Sequence, residues 1–136
     1  MSAGSRLATV LSLMVAACGG GGDDTTGPGG NSPAPTPVAG IVSVKVESRD
    51  TDTGAMLFSV TGAFRSIAAS AGYQLLSYAP GTGETRVMVI GSIVPGAVFQ
   101  LNVADKSKPV FVTLQQVAGK DYARRSVADY HVTVDH

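Results

Sequence analysis

One cysteine occurs in the 136-residue sequence, at Val15-Ala16-Ala17-Cys18-Gly19, between an apolar run and a glycine run. A lone thiol can close no internal disulfide and build no cysteine-rich metal site. It is either a nucleophile that becomes modified or an incidental side chain. A second place for chemistry is Asp50-Thr51-Asp52-Thr53-Gly54. Aspartates two apart can set two carboxylates on a calcium ion. The calcium loop that opens this way also needs an oxygen ligand at its fifth position, glycine at its sixth and glutamate at its twelfth. Gly54 already holds the fifth place and Thr61 the twelfth. Asp50 and Asp52 are therefore metal candidates that meet only the start of the pattern, and a polar hairpin turn is the competing reading.

The remaining reactive residues do not assemble into a catalytic set. His131 alternates to the polar face of the last apolar-polar segment, and His136 is the final residue of the sequence. Five positions apart on a regular strand, they face opposite ways. The G-x-S-x-G nucleophile turn is missing, and Ser92 lies in Gly91-Ser92-Ile93-Val94-Pro95-Gly96, which reads as a turn. Gly81-Thr82-Gly83-Glu84 lacks the lysine and following helix of a phosphate-cradling loop, so it reads as a hairpin turn. Lys120-Asp121-Tyr122-Ala123-Arg124-Arg125 places a tyrosine beside two arginines, a composition enriched at binding hot spots. Tyr122, Arg124 and Arg125 are the candidate binding residues, with an ordinary solvated loop as the alternative. The expectation is a chain that is not an enzyme and uses no cofactor.

Charge is balanced at ten basic and ten acidic residues, which supplies no footprint for nucleic acid or for an anionic membrane surface. Seventeen glycines, seven prolines and no tryptophan favour turns and a tail over helical bundles. Met1 to Arg6 carries positive charge, and Leu7 to Ala17 is an uncharged apolar run. At about 11 residues that run is too short to span a bilayer and suits the central region of a secretory signal. Small residues then precede Cys18.

Val15-Ala16-Ala17-Cys18 resembles the lipobox of bacterial lipoproteins, with valine where leucine is commoner. The resemblance implies that Cys18 receives a diacylglycerol, that cleavage falls just before it, and that its new amino group is acylated. Residues 1–17 would then be the signal peptide. Stable anchoring takes two or more acyl chains, which this modification supplies without a transmembrane helix. Gly19 stands where an aspartate favours inner-membrane retention, so the resemblance points to the outer membrane of the cell envelope. An ordinary signal peptide with an incidental Cys18 and a buried structural Cys18 are the other readings.

Residues 18–39 carry the cysteine and a low-complexity stretch, Gly19 to Ala39, with almost no apolar bulk. It reads as a disordered tether, flexible at its glycines and stiffer at Pro33, Pro35 and Pro37. As a coil of about 21 residues it reaches roughly 25 Å.

From residue 40 to 136 the pattern changes to period two. Val42, Val44 and Val46 alternate with Ser43, Lys45 and Glu47. Phe99, Leu101 and Val103 repeat the pattern, as do Tyr130, Val132 and Val134. Ala55 to Thr61, Tyr73 to Tyr78 and Arg86 to Ile90 are more uniformly apolar, which fits central strands or strands covered on both faces. Val110 to Val117 is long and suits a bulge. Phe64, Ile67, Ala68 and Ala71 lie at helical spacing, so "FRSIAASA" is expected to form one or two helical turns. The fold class is all-β, an antiparallel β-sandwich of about seven strands. Phe58, Val60, Leu75, Val87, Val89, Phe99, Leu101, Val112, Leu114 and Val132 are the expected core.

The run from Gly54 to Val103, with "TGAMLFSVTG" and then "TRVMVIGSIVPGAVFQLNV", is similar in pattern to cohesin-type β-sandwich modules. The resemblance implies an Ig-like or cohesin-like fold and carries over no partner and no residue. The expected function is a membrane-anchored lipoprotein whose sandwich is a non-enzymatic interaction module for another envelope protein or a glycan. An assembly accessory pairing edge to edge with a larger complex is the alternative, and a hydrolase with an unrecognised site is a further one.

Overall fold

The structure is a computed structural model and describes residues 32–136. The expected signal peptide, Cys18 and the tether up to residue 31 lie outside the described residues. Residues 32–39 have no regular secondary structure. The carbonyl of Val38 accepts a hydrogen bond from the Lys106 amide at 2.7 Å, just before the first strand.

Nine strands follow: β1 (Gly40–Ser48), β2 (Thr53–Thr61), β3 (Ser66–Ala69), β4 (Gln74–Gly81), β5 (Glu84–Ile93), β6 (Gly96–Val103), β7 (Phe111–Gly119), β8 (Arg124–Arg125) and β9 (Tyr130–Asp135). A 3₁₀ turn, Val127–Asp129, separates the last two. The strands form a β-sandwich. Its four-stranded sheet has the order β3-β6-β1-β9, and its five-stranded sheet the order β4-β5-β2-β7-β8. All pairings are antiparallel.

The alternating segments put their apolar sets between the sheets. Val42, Val44, Val46, Phe99, Leu101 and Val103 line the inner face of one sheet; Met56, Phe58, Val60, Val87 and Val89 line the other. β-branched valine suits these positions because its restricted χ1 costs little on a pleated surface. Phe58 and Phe99 meet edge to face across the interior, ring centroids 5.2 Å apart. Both are fully buried, so this contact joins the two sheets at their centre. Of the expected core, Leu75, Val112, Leu114 and Val132 are only partly buried and pack around that centre.

Bulges on β6 and β7 refine the pattern. On β6, Val98 is inserted between the pairs Lys45–Ala97 and Val44–Phe99, so the successive residues Val98 and Phe99 are both buried. On β7, Gln115 is the extra residue between Leu57–Gln116 and Phe58–Leu114, where the length of the segment suggests a bulge.

The structure corrects four expectations. Residues 64–71 form no helical turn: Ser66–Ala69 is strand β3, paired along β6. Ile67 packs against the core from this short edge strand and Phe64 from just before it, and a backbone ladder outweighs a coincidental helical spacing. The Tyr73–Tyr78 segment is neither central nor covered on both faces. It belongs to the edge strand β4, and Leu76 is 62% exposed. Gly91-Ser92-Ile93 is not a turn but the end of β5, where Gly91 and Ser92 together oppose Gly54. Gly91 has φ +152° and the Tyr73 ring close beside it, so any side chain there would be strained and crowded. Finally, Arg124 and Arg125 belong to strand β8 rather than to a loop.

Phe99→Ala is expected to lower unfolding free energy by about 3–5 kcal/mol, and Val112→Ala by clearly less, in urea titrations. Equal losses would show that the Phe58–Phe99 contact is not the centre of the core.

Candidate functional site

The chain crosses between the sheets several times at one end of the sandwich, and two of these crossings run from β1 to β2 and from β8 to β9. Residues from both crossings converge there. Arg125, on β8, extends its guanidinium toward three aspartates. Its Nη2 lies 3.1 Å from Asp52 Oδ2 and 3.1 Å from Asp121 Oδ1, and its Nε lies 3.6 Å from Asp50 Oδ2. Tyr130, the first residue of β9, donates its hydroxyl proton to Asp50 Oδ2 at 2.8 Å. With that proton committed, Thr53 donates to the Tyr130 oxygen, also at 2.8 Å. Thr53 is the buried polar residue of the interior, and this bond satisfies its hydroxyl.

The loop between β1 and β2 is shaped to present these carboxylates. Asp50 Oδ1 accepts the Asp52 amide, and the Ser48 hydroxyl accepts the Asp50 amide. These are the local turns that Asp and Ser favour. The bond from the Asp52 amide, then the Tyr130 hydroxyl, hold the Asp50 carboxyl below its ordinary range, with Arg125 adding attraction. The Asp121 carboxyl is lowered chiefly by the Ala123 amide and then by Arg125. Burial works against the charge on Arg125, but the Asp121 carboxylate and its neighbours outweigh it and raise the guanidinium above its usual value. Burial raises the Tyr130 phenol, and the Asp50 carboxylate it serves raises it further.

Asp50 and Asp52 are thus brought together, and a guanidinium takes the place between them that a cation would need. Among the described residues no group of three or more His, Cys, Asp or Glu side chains has metal-binding geometry. The expected binding trio divides. Arg125 is committed to the aspartates, whereas Tyr122 is 93% exposed and Arg124 is also exposed. Arg124 makes no ion pair among the described residues.

Tyr122 has φ +63°, in the left-handed region where a side chain other than glycine or asparagine is disfavoured. Two bonds define its turn: the Tyr122 amide donates to Gly119 O at 3.0 Å, and the Gly119 amide to Ala123 O at 2.9 Å. Two shallow depressions on the outer face of the five-stranded sheet meet at its ring. One is lined by Leu57, Met88, Gln116 and Arg124; the other by Ile90, Ala118 and Lys120. Cross-strand registers align the apolar members. Leu57 lies opposite Met88, and Met88 opposite Leu76; Ile90 lies opposite Ala55, and Ala55 opposite Ala118. A solvent-facing antiparallel sheet ordinarily carries polar residues in such rows.

A wider depression at the crossing end is bordered by Glu47, Ser48, Asp50, Asp129 and His131. Its serine and histidine do not face each other. Ser48 pairs with Tyr130 and Glu47 with His131, so the two residues project from opposite faces of the same ladder. His136, the other candidate imidazole, follows the end of β9 and is exposed. The contribution of Thr53, Tyr130 and Asp121 to the cluster was not visible in the sequence. Their partners lie 4 to 80 positions away, and no periodicity marks them.

Because the folded values of Asp50 and Asp121 lie below the unfolded ones, their contribution to stability is complete above the ordinary carboxylate value of about 3.9. It is lost as pH falls through the depressed folded values. Arg125→Gln should therefore lower Tm at pH 7, by an amount that narrows as pH drops through the carboxylate range. Protonation removes attraction in the native chain and repulsion in the variant. A pH-independent difference in Tm between pH 2 and pH 7 would show that the cluster is not held by charge.

Comparison with known proteins found no matching family model and no significantly similar curated protein or solved structure.

Proposed function

We propose that this chain is a lipid-anchored protein of the bacterial envelope whose sandwich docks another envelope protein on the outer face of the five-stranded sheet. The observation that carries the docking reading is Tyr122. Its ring is almost wholly exposed, and its backbone is in a conformation that costs a non-glycine residue roughly 1–2 kcal/mol. The turn needs that backbone, but it needs no aromatic side chain there, and glycine would adopt it without strain. Strain of this kind at an exposed aromatic side chain is accounted for by recognition.

The chemistry of the face selects the partner. Leu57, Met88 and Leu76 form an aliphatic row, and Arg124 and Lys120 border the depressions beside Tyr122. A polypeptide surface with apolar side chains flanked by carboxylates complements this arrangement. The lipid anchor rests on the sequence at Val15-Ala16-Ala17-Cys18 and on the composition of the segment after it. Anchoring through Cys18 leaves the sandwich free to present its face to a neighbour in the envelope.

Tyr122→Gly removes the strained side chain. It should leave Tm unchanged or raised, while capture of the envelope partner by in-cell crosslinking falls; Met88→Lys should also weaken capture. Undiminished capture in both variants would overturn the docking reading. For the anchor, the native protein should partition into the detergent phase and begin at an acylated Cys18, and Cys18→Ser should move it to the aqueous phase. An unmodified thiol in the native protein would overturn that part.

A further inference from the structure

The two sheets have four outer strands, and they differ sharply. β3 has four residues and β8 has two. β9 has six, with His131 exposed and Asp135 paired to Lys45. Short or charged edges of this kind resist pairing with other chains. β4 has eight residues, Gln74-Leu75-Leu76-Ser77-Tyr78-Ala79-Pro80-Gly81, with no charged side chain. It pairs with β5 on one side only, so alternate residues present backbone N–H and C=O groups to the free side.

The regular part of β4 is shorter than the whole. The ladder with β5 runs without interruption from Gln74 to Tyr78 and then breaks before Gly81. Pro80 in the break has no N–H to donate. The pairable run is therefore Gln74 to Tyr78, and its middle residue is Leu76. Leu76 and Tyr78 are exposed by 62% and 61%, facing outward on the same side as Met88 and Leu57.

We infer that two copies of this chain form a two-fold dimer through antiparallel pairing of β4 with β4, the dyad passing through Leu76. The inference does not rest on the docking reading. A second copy fits this edge for three reasons. The strand is uncharged, so self-pairing brings no like charges together, which a charged edge would do. Its regular run is symmetric about Leu76, so every residue from 74 to 78 finds a counterpart and the break at Pro80 stays outside the ladder. The aliphatic row also continues across the dyad: Leu57, Met88 and Leu76 of one copy abut Leu76, Met88 and Leu57 of the second. The two five-stranded sheets become one continuous sheet, and Gln74 of each copy lies opposite Tyr78 of the other. The contact is isologous and closes on itself, so it ends at a dimer.

The test uses the full chain, extracted in mild detergent. Leu76→Cys places two thiols on the dyad, where directly opposed residues of an antiparallel pair approach to about 4.5–5.5 Å between Cα atoms, within disulfide reach. Mild oxidation should give a reductant-sensitive dimer band far stronger than in the unaltered chain or in His131→Cys on the edge of the other sheet. Independently, sedimentation should give the mass of two chains for the unaltered protein and of one chain for Leu76→Lys, with unchanged circular dichroism. An unaltered chain that sediments as a monomer at all concentrations overturns the inference. So does a Leu76→Cys band no stronger than the His131→Cys control. Partner capture measured on the same samples reports separately on the outer face.

Discussion

The end of the sandwich depends on a single guanidinium. Arg125 faces carboxylates from the loop after β1 and from the turn after β7, and Tyr130 ties the same loop to the first residue of β9. Two of the connections that pass between the sheets at this end are thereby fixed to each other. The cluster serves because every member is occupied: Asp50 receives an amide and a phenol, Asp121 an amide and the arginine, and Thr53 a phenol oxygen. Partly satisfied polar networks destabilise a fold, whereas complete ones specify it. Three carboxylates without Arg125 would repel one another at the point where the chain changes sheets.

That arrangement also explains how Tyr122 comes to project. Asp121 accepts both the Ala123 amide and the Arg125 side chain, so the turn between β7 and β8 is pulled toward the cluster. A Cβ at Gly119, at the start of the turn, would meet the Asp121 carboxylate and the Arg125 guanidinium, so a side chain there would push the cluster apart. The residue left at the tip takes the left-handed conformation and points away from the protein. The Arg125 cluster and the Tyr122 rim are thus two sides of one turn, the first closing the fold and the second offering a surface.

The rest of the surface divides in the same manner. The interior is filled mainly by valines and two phenylalanines, whose burial supplies the drive for folding. The outer face of the five-stranded sheet keeps Leu57, Met88 and Leu76 in a cross-strand row although the core does not need them. Together with the neutral edge β4, that row sets this side of the molecule apart from the four-stranded sheet, whose edges are short or charged.

The alternation of Val42, Val44 and Val46, and of Phe99, Leu101 and Val103, was enough to read strands, their buried faces and a sandwich. With a repeat of two, a residue's face follows from its position alone. The length of the 110–117 segment announced a bulge, and the Asp50–Gly54 turn marked the loop that bears the cluster. The pairing partners were not legible. A segment as apolar as Tyr73–Tyr78 reads the same at the centre of a sheet as at its edge, because burial depends on what lies beside a strand. Ser66–Ala69 is too short for its period to distinguish strand from helix, and only the ladder along β6 decides. Arg125 looked like a free binding side chain for the same reason: its three carboxylates arrive from residues 50, 52 and 121, and folding alone brings them within reach. Local chemistry and periodicity were thus determined by the sequence itself. Neighbours distant along the chain, and with them the difference between a structural and an available charge, were decided by the tertiary structure.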